Sequence, residues 1–146
     1  MPEDEREICT WALSEYGSDL VTITHYPTKK RAFYTIPDPK NPEFSLSYDL
    51  LFRGLEILSG SQRIINYDAL VSVIKERGMD PENFKMYLQT FKYGMPPEGG
   101  FSFGLERITM QILNLGNVRE ASLFPRDTER VDFRLPNPGL DETKIV

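Results

Sequence analysis

Residues 44–64, FSLSYDLLFRGLEILSGSQRI, decide how this chain is read. Leu46, Tyr48, Leu50 and Phe52 alternate with the mostly polar Ser45, Ser47, Asp49 and Arg53, a period of two that marks a half-buried strand with one chemically active face. Gly54 is placed to bend that strand or to turn it into a second one. Asp49, Glu56 and Ser59 offer hard oxygen ligands of the kind that suits Mg²⁺, an ion that keeps several waters and shares its shell with phosphates. Strict alternation puts Glu56 and Ser59 on opposite faces, so their joint use requires a bulge or a strand end at Ser59-Gly60. Arg63 closes the stretch with a planar guanidinium suited to holding a carboxylate through two hydrogen bonds. Taken by themselves, carboxylates and arginines on strands also fit a solvated surface or pairs with one another.

Upstream, residues 4 to 16 place Ile8, Trp11 and Ala12 at helical spacing behind an acidic first turn. Leu20 to Tyr26 and Ala32 to Ile36 read as short strands, with YPTKKR turning between them. Downstream, Tyr67, Leu70, Val71 and Ile74 predict a helix closing near Gly78, and Asp80-Pro81 opens another that carries Phe84, Tyr87, Leu88 and Phe91. A breaker, GMPPEGG, leads into GGFSFGLERI at residues 99–108 and a helix with Leu105, Ile108 and Ile112 along one side. Glycines 99, 100 and 104 let a ligand approach the backbone, and the start of the helix offers N–H groups to an anion. Arg107 adds a full positive charge and a flat stacking surface; close strand–helix packing explains the same glycines equally well. The whole reads as α+β, an antiparallel sheet backed by helices, over residues 1–135, with an aperiodic tail at 136–146.

The chain has 146 residues and a formal net charge of −5, which leaves no general basic field for nucleic acid or anionic membrane. No apolar run approaches the roughly 18 to 20 residues that span a bilayer, so a cytosolic location is the expectation. The single cysteine, Cys9, excludes an internal disulfide and reads as a small buried side chain. With one histidine, His25, read as a structural residue at a strand end, neither a histidine metal cluster nor a Ser-His or Cys-His pair can be assembled. The two constellations together describe a pocket for an anionic nucleotide, a metal and a small molecule bearing a carboxylate.

GFSFGLERI resembles motif 3 of class II aminoacyl-tRNA synthetases, and FSLSYDLLFRGLEILSGSQRI with FKYGMPP and REASLFPRD resembles the aspartyl/asparaginyl branch, in its archaeal aspartyl type. The resemblance runs over residues 5 to 131 and covers the C-terminal half of a catalytic domain. It implies ATP and Mg²⁺ as cofactors, aspartate or asparagine as substrate, and formation of an aminoacyl-adenylate that is passed to tRNA. It further implies that Arg107 stacks on adenine and reaches the γ-phosphate, with Gly104, Leu105 and Glu106 completing the ATP segment. Glu56 would bind ATP and Mg²⁺, Ser59 the metal and the amino acid, Asp49 would support the metal, and Arg63 would hold the aspartate side chain; Arg107 and Glu56 are the catalytic pair. The family's motifs 1 and 2 and its anticodon-binding domain lie upstream of what is present. Contact with tRNA is therefore expected through regions outside this chain, the chain alone is expected to be inactive, and an open sheet edge predicts homo-oligomers or association with a missing half. Many members of the resembled family carry histidine where this chain has Ile65 and Glu98. A non-catalytic paralogue binding a nucleotide or a partner protein, and a relative that activates aspartate for asparagine synthesis, are the alternatives.

Overall fold

A computed structural model of the protein describes residues 2–125; the region read as a tail lies outside them. Four strands form one antiparallel sheet in chain order: β1 (Leu20–Thr24), β2 (Ser47–Phe52), β3 (Leu55–Gln62) and β4 (Gly99–Phe103). Helix α1 (Pro2–Tyr16) packs against the first three strands and buries Cys9 and Ala12. Helices α2 (Tyr67–Glu76) and α3 (Lys85–Lys92) follow β3, and α4 (Leu105–Leu113) starts directly after β4. The α+β expectation holds.

Gly54 turns the chain rather than bending it. Arg53 and Gly54 both have positive φ, 50° and 79°, the backbone twist that a two-residue hairpin demands, and β2 pairs with β3 across them. One residue too many then sits in β3. Leu50 faces Leu58 and Leu51 faces Glu56, so Ile57 has no partner of its own. This bulge turns Glu56 to the face that carries Asp49 and Ser59, which themselves pair directly. The geometry that joint use of Glu56 and Ser59 requires is thus present, two residues earlier than Ser59-Gly60.

Two expectations are corrected. Ala32–Ile36 is not a strand: a single 3₁₀ turn at Thr28–Lys30 precedes it, and only isolated bridges, Thr35 with Arg63 and Pro37 with Ser45, tie the segment down. Pro37 has no N–H to give to a ladder, and the preceding residues bond instead to the end of β3, where Ile64 N–H donates to the Tyr34 carbonyl and Ile36 N–H to that of Gln62. In β2 the polar face, not the apolar one, is the more buried. Ser47, Asp49 and Leu51 are buried while Tyr48, Leu50 and Phe52 are half-buried, because the 25–46 segment lays side chains over the polar face.

Beside the sheet, Ile64, Leu70, Ile74, Leu88 and Phe91 form a buried cluster with Phe33, Tyr34 and Ile36 packed against it. Asn66 caps α2 by accepting from Ala69 N–H, and Asp80 accepts from Glu82 N–H to open a 3₁₀ turn, Pro81–Phe84, that leads into α3, so the helical segment expected from Asp80-Pro81 begins there but as 3₁₀ rather than α. On the sheet, a Cβ at Gly60 would lie 2.6 Å from the Tyr48 ring, which covers that glycine across the strands. Gly60→Ala should therefore displace Tyr48 and cost on the order of 1–3 kcal/mol by overpacking, read from denaturant unfolding. An unchanged midpoint would show that the ring moves freely and is not part of the packed sheet.

Candidate functional site

The polar face of β2 and β3 carries Ser47, Asp49, Glu56, Ser59 and Ser61, and two arginines close over it from loops. Arg31, in the segment read as a turn, was not singled out by sequence, yet it is the most connected side chain on this face. Its Nε donates to Ser47 Oγ at 3.1 Å, its Nη1 donates to Ser59 Oγ at 3.1 Å, and its Nη2 lies 2.7 Å from Asp49 Oδ1. The Nη2–Oδ1 contact is a close ion pair rather than a well-aligned hydrogen bond. The guanidinium also lies 3.9 Å from the Tyr26 ring centroid. Burial, and then the charge of Asp49, pushes the Tyr26 hydroxyl well above the ordinary phenol range. The signal in the sequence was the lone arginine after two lysines, which spacing alone could not aim.

Glu56 is held from the other side. Arg107 Nη1 donates to the Glu56 carbonyl at 2.9 Å and lies 3.3 Å from its Oε1. Gly104, the residue before α4, has an ordinary negative φ, so its use is spatial: a Cβ there would stand 3.3 Å from Arg107 Cδ. At the far end of the face Arg63 donates to Ser61 Oγ at 2.9 Å and stacks over Tyr34 at 4.3 Å. Gly100 serves it in the same way, since a Cβ there would stand 3.3 Å from Arg63 Nη2. Arg107 and Arg63 thus each have a glycine that makes room for them.

Asp49, Glu56 and Ser59 are brought together, with Arg107 joined to them through Glu56. Arg63 shares with Ser59 a cleft of about 160 Å³ lined also by Arg31, Tyr34, Thr35 and Ser61. Gly104, Glu106 and Arg107 line a second, open hollow of about 400 Å³ with Arg119, Ser122 and Phe124. Leu105 is 71% exposed and lines neither. Among the described residues no three His, Cys, Asp or Glu side chains gather into a self-sufficient metal site. Two carboxylates and a hydroxyl instead make the sparse oxygen set that fits Mg²⁺ when phosphate oxygens complete its shell.

The sequence model for "tRNA synthetases class II (D, K and N)" matches residues 1–128. The chain belongs to this family. It is 51% identical over 129 residues to the aspartate–tRNA(Asp/Asn) ligase of Thermus thermophilus, covering 88% of this chain and 30% of that protein. The aspartyl-tRNA synthetase of Entamoeba histolytica matches in structure with a TM-score of 0.85 and 39% identity, over 90% of this chain and 27% of that one. The asparaginyl-tRNA synthetase of Pyrococcus horikoshii, solved with asparaginyl-adenylate, matches with a TM-score of 0.80 and 35% identity, over 90% of this chain and 30% of that one. The chain therefore spans less than a third of the length of these relatives. No helix among the described residues is long and apolar enough to cross a membrane.

Burial, and next the charge of Asp49, raises the Glu56 carboxyl above its ordinary value of 4.5, outweighing the opposing pull of Arg107 and Arg31. The folded chain then binds that proton more tightly than the unfolded chain does. Its contribution to stability is present at low pH and is lost as pH rises from the ordinary carboxyl value through the raised one. Glu56→Gln should flatten that part of the stability–pH curve, measured by denaturant unfolding from about pH 4 to 7. An identical slope in both proteins would mean that Glu56 titrates normally.

Proposed function

We propose that this chain is the ATP- and amino-acid-binding part of an aspartate–tRNA ligase, in which aspartate is activated on ATP before transfer to tRNA. The observation that carries the reading is the bulged strand that sets Asp49, Glu56 and Ser59 on one face with Arg107 at its rim. In the proposed roles Arg107 leaves Glu56 for the nucleotide, stacking on adenine and reaching its phosphates, while Gly104, Leu105 and Glu106 form the backbone against which the nucleotide lies. Glu56 and Ser59, supported by Asp49, hold Mg²⁺, whose chemistry here is to neutralise phosphate charge. Arg63 receives the side-chain carboxylate of aspartate. Its fork is fixed by Ser61 and by the ring of Tyr34, the preorganisation that bidentate recognition requires.

Catalysis in such a site consists of positioning and charge neutralisation, with no covalent nucleophile. The titratable inventory fits: the one cysteine is buried on the inner side of α1, and the one histidine is not among the residues that line the cleft. Association with further protein, either a second copy or the rest of a longer ligase, belongs to the same proposal. Phe101, Phe103, Leu105 and Ile112 expose half or more of their surface, and β4 has a neighbour on one side only among the described strands. tRNA would be engaged through such additional regions.

Titration calorimetry with a non-hydrolysable aspartyl-adenylate analogue and Mg²⁺ tests the reading. The aspartyl form should bind more tightly than the asparaginyl form, and Arg107→Ala should weaken it at least about tenfold, roughly 1.4 kcal/mol. Binding of neither form would favour the non-catalytic paralogue. Equal binding by wild type and Arg107→Ala would remove Arg107 from the site.

A further inference from the structure

Each oxygen ligand proposed for the metal is already tied to an arginine, but the two ties differ. Arg107 and Glu56 are exposed, with side chains 48% and 39% accessible, and an exposed pair of this kind is worth little and exchanges easily. Arg31 and Asp49 are 16% and 6% accessible. Arg31 is fixed along its whole length: its Nε and Nη1 bond to Ser47 and Ser59, the Tyr26 ring lies against it, and its carbonyl accepts from Arg77 Nη1 at 2.6 Å. Removing one partner of a buried pair strands the other charge, so Arg31 will not give way to an incoming cation. Counted together, Asp49 and Glu56 against Arg31 and Arg107 leave this group without net charge. Such a group has no field to concentrate free divalent cations.

We propose that Arg31 is a resident cation of the site: it keeps Asp49 as its own counter-ion and holds the Ser59 hydroxyl in place, so that a divalent cation enters through Glu56 and only together with a polyphosphate. The polyphosphate draws Arg107 off Glu56 and carries the cation in the same event. Arg31 is thus a positioning residue, and it makes metal binding conditional on nucleotide. The inference rests on the adenylate-site reading above and adds to it the order in which metal and nucleotide are taken up.

The test is titration of the full chain with Mn²⁺, followed by electron paramagnetic resonance, with and without ATP. Wild type should bind Mn²⁺ alone at least about tenfold more weakly than with ATP. Arg31→Gln, which leaves Asp49 without its counter-ion, should raise the affinity for free Mn²⁺ at least about tenfold and shrink the effect of ATP. Arg31→Lys keeps the charge and should keep the wild-type pattern. A purely structural Arg31 would lower stability in Arg31→Gln without any gain in Mn²⁺ affinity, and that result overturns the proposal. If Arg31→Gln fails to fold, ¹⁵N spectra of wild type decide: the Arg31 Nε–H signal should persist in place on adding Mn²⁺-free Mg²⁺ and ATP, while that of Arg107 moves. Displacement of the Arg31 signal by Mg²⁺ alone overturns the inference. Tight Mn²⁺ binding that ignores ATP overturns the inference and leaves the adenylate site standing; no binding of Mn²⁺ or ATP in any combination sinks both.

Discussion

One unpaired residue, Ile57, sets the geometry on which the site depends. Without the extra residue in β3, period-two alternation would turn Glu56 to the face opposite Asp49 and Ser59. The bulge is held from outside as well as by the sheet. The Ile57 carbonyl accepts from Gly104 N–H at 2.8 Å, and the neighbouring Glu56 carbonyl accepts from Arg107 at 2.9 Å. The irregularity in β3 and the junction of β4 with α4 therefore fix one another. A change that straightened β3 would also release the start of α4, and the aim of Glu56 and the placing of Arg107 are properties of a single local arrangement.

The polar face is buried at a cost that only its arginines offset. A buried carboxylate without a partner loses several kcal/mol of solvation, whereas a solvent-exposed pair such as Arg53 with Asp19, whose side chains are 44% and 38% accessible, is worth about 0–1 kcal/mol. Asp49 is therefore tolerable at 6% exposure because Arg31 is there, not because ion pairs in general stabilise folds. Serine hydroxyls take up the remaining donors: Ser47 and Ser59 accept from Arg31, Ser61 accepts from Arg63, and Ser45 and Ser47 lie 2.9 Å apart. Hydroxyls that both donate and accept suit a face where guanidinium groups must be satisfied without adding further charge.

What could be read from sequence, and what could not, divides along contact range. The hairpin at Gly54, the opening of a helical segment at Asp80-Pro81, and the apolar stripes of α2 and α3 rest on local rules, and each follows its signal. Period two found β2 but not which of its faces is covered, because the cover comes from elsewhere in the chain. Arg31 reaches a serine 28 residues away, and no spacing rule ties an arginine in a basic turn to an aspartate on a later strand. Strand propensity likewise drew Ala32–Ile36 as β although its bonds go to the end of β3 and no continuous ladder forms. Asp49, Glu56, Ser59 and Arg63 could be picked out as candidate ligands because a side chain shows its chemistry in its residue type. The partner that holds such a ligand shows itself only in the fold.

The site is also coupled to a core that lies beside the sheet. Arg63 stacks on Tyr34, and Tyr34 meets Phe33 edge-on at 5.3 Å. Phe33 in turn packs edge-on against Phe84 at 5.0 Å and Tyr87 at 5.9 Å, at the margin of the cluster built on Leu70, Ile74, Leu88 and Phe91. Aromatic contacts of this geometry are directional, so the orientation of each ring constrains that of the next. A cavity opened between α2 and α3 would reach Arg63 through two rings before it reached Asp49, which is anchored to Arg31 and not to the aromatic chain. The two ends of the polar face are thus referenced to different parts of the molecule: the Arg63 end to the helical cluster, and the Glu56 end to the sheet bulge. Loosening the helices should displace Arg63 while leaving the Glu56–Arg107 end in register.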